Sequence, residues 1–117
     1  MAGIVISDAS PLIGLSIVDG LDWLPAIFGE IWIPDAVMRE VLPGRHSQGE
    51  VAIQQAMEQG WLKAWDKPFD KLPDLGLDQG ESACISIAVA HPDRALLIID
   101  ERAGRAVASE YGVKITG

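Results

Sequence analysis

Two aspartates stand where a short apolar segment ends. Asp8 follows segment 3–7 and Asp100 follows segment 95–99. Both segments are rich in β-branched residues, which predicts buried parallel strands with each aspartate at a carboxyl end, where open α/β sheets bind ligands. If the strands are neighbours, carboxylates about 5 Å apart repel each other unless a cation bridges them, so we predict a metal site. The alternative is that each aspartate caps the helix that follows it.

Two further acidic residues have positions that fit either a structural or a functional role. Asp78 and Glu81 have the spacing of a capping box, yet Glu81 in a first helical turn could also point toward the sheet edge. Glu40 follows Arg39 on an amphipathic helix, where a solvated surface charge is the alternative to a ligand. Neither histidine has a second His or Cys at zinc-ligand spacing, so oxygen donors favour Mg²⁺ or Mn²⁺.

Length and composition restrict the class of protein. The 117 residues indicate a single domain over 1–117, and a hydrophobic content of 49% excludes a disordered chain. We expect a cytoplasmic protein without membrane contact, because no apolar segment is long enough and no signal peptide is evident. The single cysteine, Cys84, has apolar neighbours and is predicted to be a core residue. The net charge of −8 disfavours broad nucleic-acid binding and suits a basic protein partner.

The elements that must position these residues alternate between strand and helix. Strands are predicted over 3–7, 30–33, 61–65, 95–99 and 113–115, and helices over 11–18, 21–28, 34–42, 51–59, 78–91 and 101–111. Right-handed crossovers then give a three-layer α/β/α sandwich with a central parallel sheet. Two residues follow the last strand, so a C-terminal covering helix is expected to be missing, and either the chain is trimmed or a partner covers the sheet.

Four acidic motifs occur along the chain in the order IVISDASPLI, IPDAVMREV, LDQGESA and LIIDERAGR. In this order they resemble the PIN domain family, in the branch of small prokaryotic proteins related to VapC-type toxins, over almost the whole chain. The resemblance implies a metal-dependent ribonuclease that uses Mg²⁺ or Mn²⁺. It assigns the acids of the site to Asp8, Glu40, Glu81 and Asp100, and it gives Ser10 a role in supporting the first acid.

The resemblance also implies an RNA substrate, a toxin of a toxin–antitoxin pair and an antitoxin as protein partner. In this hypothesis Asp8, Glu81 and Asp100 hold the metal, while Glu40 binds a second ion or orients the attacking water. The alternative is a catalytically inactive PIN-like scaffold that binds a basic partner. The apolar segments 11–18 and 21–28 predict a homodimer. The arginines near the motifs are interpreted as surface ion-pair residues: Arg39, Arg45, Arg102 and Arg105.

Overall fold

Strands and helices alternate along the chain in a computed structural model, which describes residues 3–45, 47–73, 76–99 and 102–116, with the backbone alone at 102, 103 and 107. The strands are β1 (Ile4–Ser7), β2 (Ile31–Ile33), β3 (Leu62–Ala64), β4 (Ala95–Ile98) and β5 (Lys114–Thr116). The helices are α1 (Ala9–Ile17), α2 (Trp23–Phe28), α3 (Asp35–Val41), α4 (Gln48–Gln59), α5 (Gln79–Ala90) and α6 (Arg102–Glu110).

The strands form one parallel sheet in the order β3-β2-β1-β4-β5. The register pairs Ser7 with Ile98, so β1 and β4 end at the same level. The strands before Asp8 and Asp100 are therefore neighbours, which is the condition that the predicted metal site requires. The chain moves away from β1 in one direction through β2 and β3, and away from β4 in the other. The boundary between β1 and β4 is therefore the switch point at which α/β sheets bind ligands.

Helices cover both faces of the sheet, which confirms the three-layer α/β/α architecture. Right-handed crossovers are expected to place the helices after β1 and β2 on one face and those after β3 and β4 on the other. Helices α3 and α5 nevertheless contact each other. Helix α5 packs on β1 and β4, α6 packs on β5, and α1 packs on α3 and α4. The core consists of aliphatic side chains from both layers and the sheet, and it contains the fully buried Ile6, Ile33, Ile85, Ile87, Leu97 and Ile99.

The predicted elements agree with the observed ones apart from their ends. Helix α4 begins at Gln48 and not at 51, because the Ser47 hydroxyl accepts the N–H of Glu50 at 3.2 Å and caps the first turn. Strand β3 lies at an edge of the sheet, as its weak alternation predicted. Among the described residues, no helix is both long and apolar enough to cross a membrane. His46, Asp100 and Glu101 lie outside the described residues.

Candidate active site

Asp8 lies at the carboxyl end of β1 with only 2% of its surface exposed. Its N–H donates to the carbonyl oxygen of Ile98 at 3.0 Å, which holds the residue against the end of β4. Asp8 occupies the N-cap position of α1, but its side chain makes no capping hydrogen bond. The capping alternative is therefore wrong for this residue. Its carboxylate is held inside the protein at the switch point, where burial of a charge is costly unless a partner compensates.

Glu81 lies in the first turn of α5 and is 6% exposed. Asp78 caps this helix, because its Oδ1 accepts the N–H of Glu81 at 2.8 Å. The Glu81 carboxylate is directed elsewhere: its Oε2 lies 3.0 Å from the position that a Cβ on Gly104 would take. Glu81 therefore extends from the start of α5 to the first turn of α6.

Cys84 shows which way the Glu81 face of α5 is turned. The thiol donates to the carbonyl oxygen of Ser7 at 3.4 Å, and residues three apart on a helix share a face, so Glu81 points toward the same strand end as Cys84. Full burial raises the pKa of the Cys84 thiol well above its usual value, and nearby carboxylates raise it further. Those carboxylates belong to Asp8, Asp78, Glu40 and Glu81. The prediction that Cys84 is a core residue is confirmed.

Glu40 lies in the last turn of α3 and contacts the start of α5. Its Oε1 is 2.9 Å from the position that a Cβ on Gly80 would occupy, in the first turn of that helix. Partial burial raises the pKa of Glu40, and the neighbouring Asp78 carboxylate raises it further. Glu40 is exposed, yet it is not an isolated surface charge. Three of the four predicted acids, Asp8, Glu40 and Glu81, therefore lie around one end of the sheet.

The fourth acid, Asp100, and the supporting Ser10 have a different status. Asp100 is outside the described residues, so its assignment still depends on the sequence motif. The preceding residue, Ile99, makes two hydrogen bonds. Its N–H donates to the carbonyl oxygen of Thr116 at 3.1 Å, and its own carbonyl oxygen accepts from Arg105 Nη1 at 3.0 Å. Ser10 is exposed in the first turn of α1, and its hydroxyl makes no hydrogen bond within the described part of the chain.

Sequence reasoning missed two residues of this region, Gly80 and Gly104, and gave a third, Arg105, the wrong role. A glycine inside a helix costs roughly 0.5–1 kcal/mol relative to alanine, so a glycine in a first helical turn is a usable signal of a close approach. Here Gly80 gives space to the Glu40 carboxylate and Gly104 gives space to that of Glu81. The interpretation of Arg105 as an ion-pair residue is wrong, because its guanidinium bonds a backbone carbonyl.

The donor chemistry of these residues suits a hard divalent cation, because every candidate ligand is a carboxylate oxygen. Asp8 and Glu81 are both buried, and the charges of both raise the pKa of the Cys84 thiol. Within the described ranges, no group of three or more His, Cys, Asp or Glu residues is arranged to hold a metal ion. A complete ligand set of three carboxylates would therefore need an acid outside these ranges, and the sequence motif assigns that role to Asp100.

Comparison with known proteins supports the interpretation of the fold. The model of a family described as a PIN domain matches residues 4–117. The chain belongs to the PIN domain family, whose members are typically nucleases and generally use divalent metal ions. No curated protein matches the sequence.

Proposed function

We propose that this protein is a metal-dependent endoribonuclease that hydrolyses phosphodiester bonds in RNA with Mg²⁺ or Mn²⁺. The observation that carries the proposal is the burial of Asp8 and Glu81 at the switch point of the sheet, beside the exposed carboxylate of Glu40. Both carboxylates lie at the edge where α/β sheets bind ligands, and carboxylate oxygens are the ligands that a hard divalent cation prefers.

The roles of the residues follow from their exposure. Asp8, Glu81 and Asp100 would hold the cation, which supplies a water of lowered pKa and neutralises charge that develops on the scissile phosphate. Glu40 is exposed, and its carboxyl has a raised pKa, so it is suited to accept a proton from the attacking water. Asp78 would assist this proton transfer indirectly, because its negative charge raises the pKa of the Glu40 carboxyl and so makes Glu40 a stronger base.

The experiment compares cleavage of a 5′-labelled single-stranded RNA by the wild type and the variants Asp8→Asn and Glu81→Gln, with Mn²⁺ or with EDTA. Loss of several kcal/mol of charge stabilisation corresponds to a decrease in kcat of about 100-fold or more for each variant. Asp35→Asn is the matched control, because Asp35 is an exposed carboxylate that pairs with Arg39 on α3. Equal cleavage by all four proteins, or cleavage in EDTA, would refute the proposal. A DNA strand of the same sequence tests the preference for RNA.

A second candidate function is an inactive PIN-like scaffold that binds a basic protein partner, and the net charge of −8 favours it. Metal binding by tryptophan fluorescence without any cleavage would support this candidate. In the nuclease hypothesis the protein is the toxin of a toxin–antitoxin pair, and the antitoxin is the basic partner. Co-purification of the chain with a basic protein encoded beside it, and inhibition of cleavage by that protein, would test the pairing.

We further propose that the protein forms a homodimer. Large apolar side chains are exposed on α1, on α2 and between them, and they form the α1–α2 apolar surface: Ile13, Ile17, Val18, Trp23 and Ile27. Exposed apolar area of this kind usually marks an interface, and a twofold dimer is the commonest solution.

A further inference from the structure

A groove of about 390 Å³ lies directly beside the acidic site, between α1, α4 and the loop that joins α3 to α4. Glu40 lines the groove, and Arg45 and Ser47 line it from the loop. Glu50 also lines the groove, and its apolar lining includes Pro43 and Ile53. The groove therefore begins at a residue of the candidate site and contains both a cationic group and an apolar surface.

Among the arginines near the site whose side chains the structure describes, Arg45 differs from Arg39 and Arg105 because its guanidinium has no partner. Arg39 is held in an ion pair with Asp35 at 2.8 Å, and Arg105 donates to the carbonyl oxygen of Ile99. Across the described ranges of the chain, the guanidinium of Arg45 has no carboxylate within ion-pair distance, and the residue is exposed. The interpretation of Arg45 as an ion-pair residue is therefore wrong, and its charge is available to an external anion.

The backbone that carries Arg45 is fixed to α4. The Oε1 atom of Glu50 accepts the N–H groups of Gly44 and Arg45 at 3.1 and 3.2 Å. Ser47 accepts from the N–H of Glu50, so the hydrogen of its own hydroxyl can be donated to another acceptor within the groove. The loop thus presents a guanidinium and a hydroxyl, two groups that bind phosphate oxygens.

We propose that a single strand of RNA lies in this groove, with a phosphate bound by Arg45 and the scissile phosphodiester next to Glu40. This inference rests on the proposed nuclease function and names the path of its substrate. An overall charge of −8 repels a polyanion, so binding requires a local cation, and Arg45 supplies it on the wall shared with the candidate site. The apolar lining accommodates the sugar and base faces that alternate with the phosphates.

The test measures binding of a fluorescein-labelled single-stranded RNA by anisotropy over a range of salt concentrations. Ca²⁺ replaces Mg²⁺ or Mn²⁺ so that the carboxylates are neutralised, and a gel checks that the RNA stays intact. We expect Arg45→Gln to weaken binding roughly tenfold and to reduce the slope of log K against log salt by about 0.7, the loss of one phosphate contact. Arg45→Lys is expected to keep the slope because it keeps the charge.

The matched control is Arg94→Gln, which makes the same change of charge at an exposed residue just before β4, at the amino end of the strands and opposite the candidate site. We expect its affinity to stay within about twofold of the wild type, because the residue is remote from the groove. Equal losses in Arg45→Gln and Arg94→Gln would overturn the inference, as would the absence of RNA binding by the wild type.

The outcome also separates the inference from the function on which it rests. Binding that depends on Arg45 without cleavage in Mn²⁺ would refute the nuclease and retain the groove. Cleavage by Asp8-dependent chemistry in which Arg45→Gln leaves KM unchanged would retain the nuclease and refute the groove. If both hold, Arg45→Gln raises KM about tenfold and changes kcat by less than about twofold.

Discussion

Replacement of Gly104 by alanine tests the close approach between α6 and the candidate site. A Cβ at this position would lie 2.6 Å from Cδ1 of Ile99 and 3.0 Å from Oε2 of Glu81. Ile99 is fully buried, so its side chain cannot move aside without displacing other core atoms. The Glu81 carboxylate is also buried, and the new methyl group would push it away from the first turn of α6.

The magnitude follows from two opposing effects. Insertion of a methyl group into a packed site costs about 1–3 kcal/mol, whereas alanine in place of glycine in a helix contributes about 1 kcal/mol of stability. We therefore expect Gly104→Ala to lower the free energy of unfolding by about 0–2 kcal/mol. Gly14→Ala in α1 is the matched control, because nothing lies within 4 Å of its Cβ position. It should stabilise the protein by up to about 1 kcal/mol.

The difference between the two variants isolates the steric cost, and we expect it to be about 1–3 kcal/mol. Urea unfolding followed by tryptophan fluorescence measures it, and cleavage of RNA at a temperature where both variants are folded measures the effect on Glu81. We expect Gly104→Ala to lose at least about tenfold in kcat, because a small displacement of a positioned group reduces catalysis strongly. Equal stabilisation by the two alanines would refute the packing argument, and unchanged cleavage would show that the Glu81 carboxylate is not needed at this position.

Three further predictions follow from the carboxylates, the thiol and the apolar surface. Burial and the Asp78 carboxylate raise the pKa of Glu40 above its usual 4.5, so ionisation of Glu40 destabilises the folded protein as the pH rises above that value. Without metal, we expect Glu40→Gln to have a higher Tm than the wild type at pH 7 and the same Tm near pH 4. An equal advantage at both pH values would contradict this pKa direction. Cys84 is fully buried with a raised pKa, so iodoacetamide at pH 8 should modify it only in denaturant; rapid modification of the folded chain would contradict the packing of α5 on β1. Light scattering should give twice 12.6 kDa for the wild type and a smaller mass for Trp23→Glu, whose parent side chain is 62% exposed; a monomeric wild type at micromolar concentration would refute the dimer.

Much of the fold could be predicted because the strands carry local signals. Buried parallel strands appear in the sequence as uninterrupted apolar segments, and the helices between them begin and end at capping residues, prolines and glycines. The role of Asp8 could not be decided in this way. An N-cap and a ligand at a strand end occupy the same position in the chain, and they differ only in the direction of the side chain. That direction is set by tertiary packing, which leaves Asp8 buried and without a capping bond.

The position of Glu40 in the site could not be predicted from local sequence either. Its helix has an ordinary amphipathic pattern, and nothing in that pattern indicates that Gly80, forty residues later, gives its carboxylate space. Contacts between residues distant in the chain depend on the packing of α3 against α5, which a local pattern does not encode.

The net charge also fails to predict local binding, because it sums charges that act at separate places on the surface. It disfavours RNA binding only if positive and negative groups are spread evenly. Here Asp35 neutralises Arg39, while Arg45 stays available beside the candidate site. An acidic chain can therefore bind an anion where one unpaired guanidinium meets a site whose carboxylates are themselves neutralised by a bound cation.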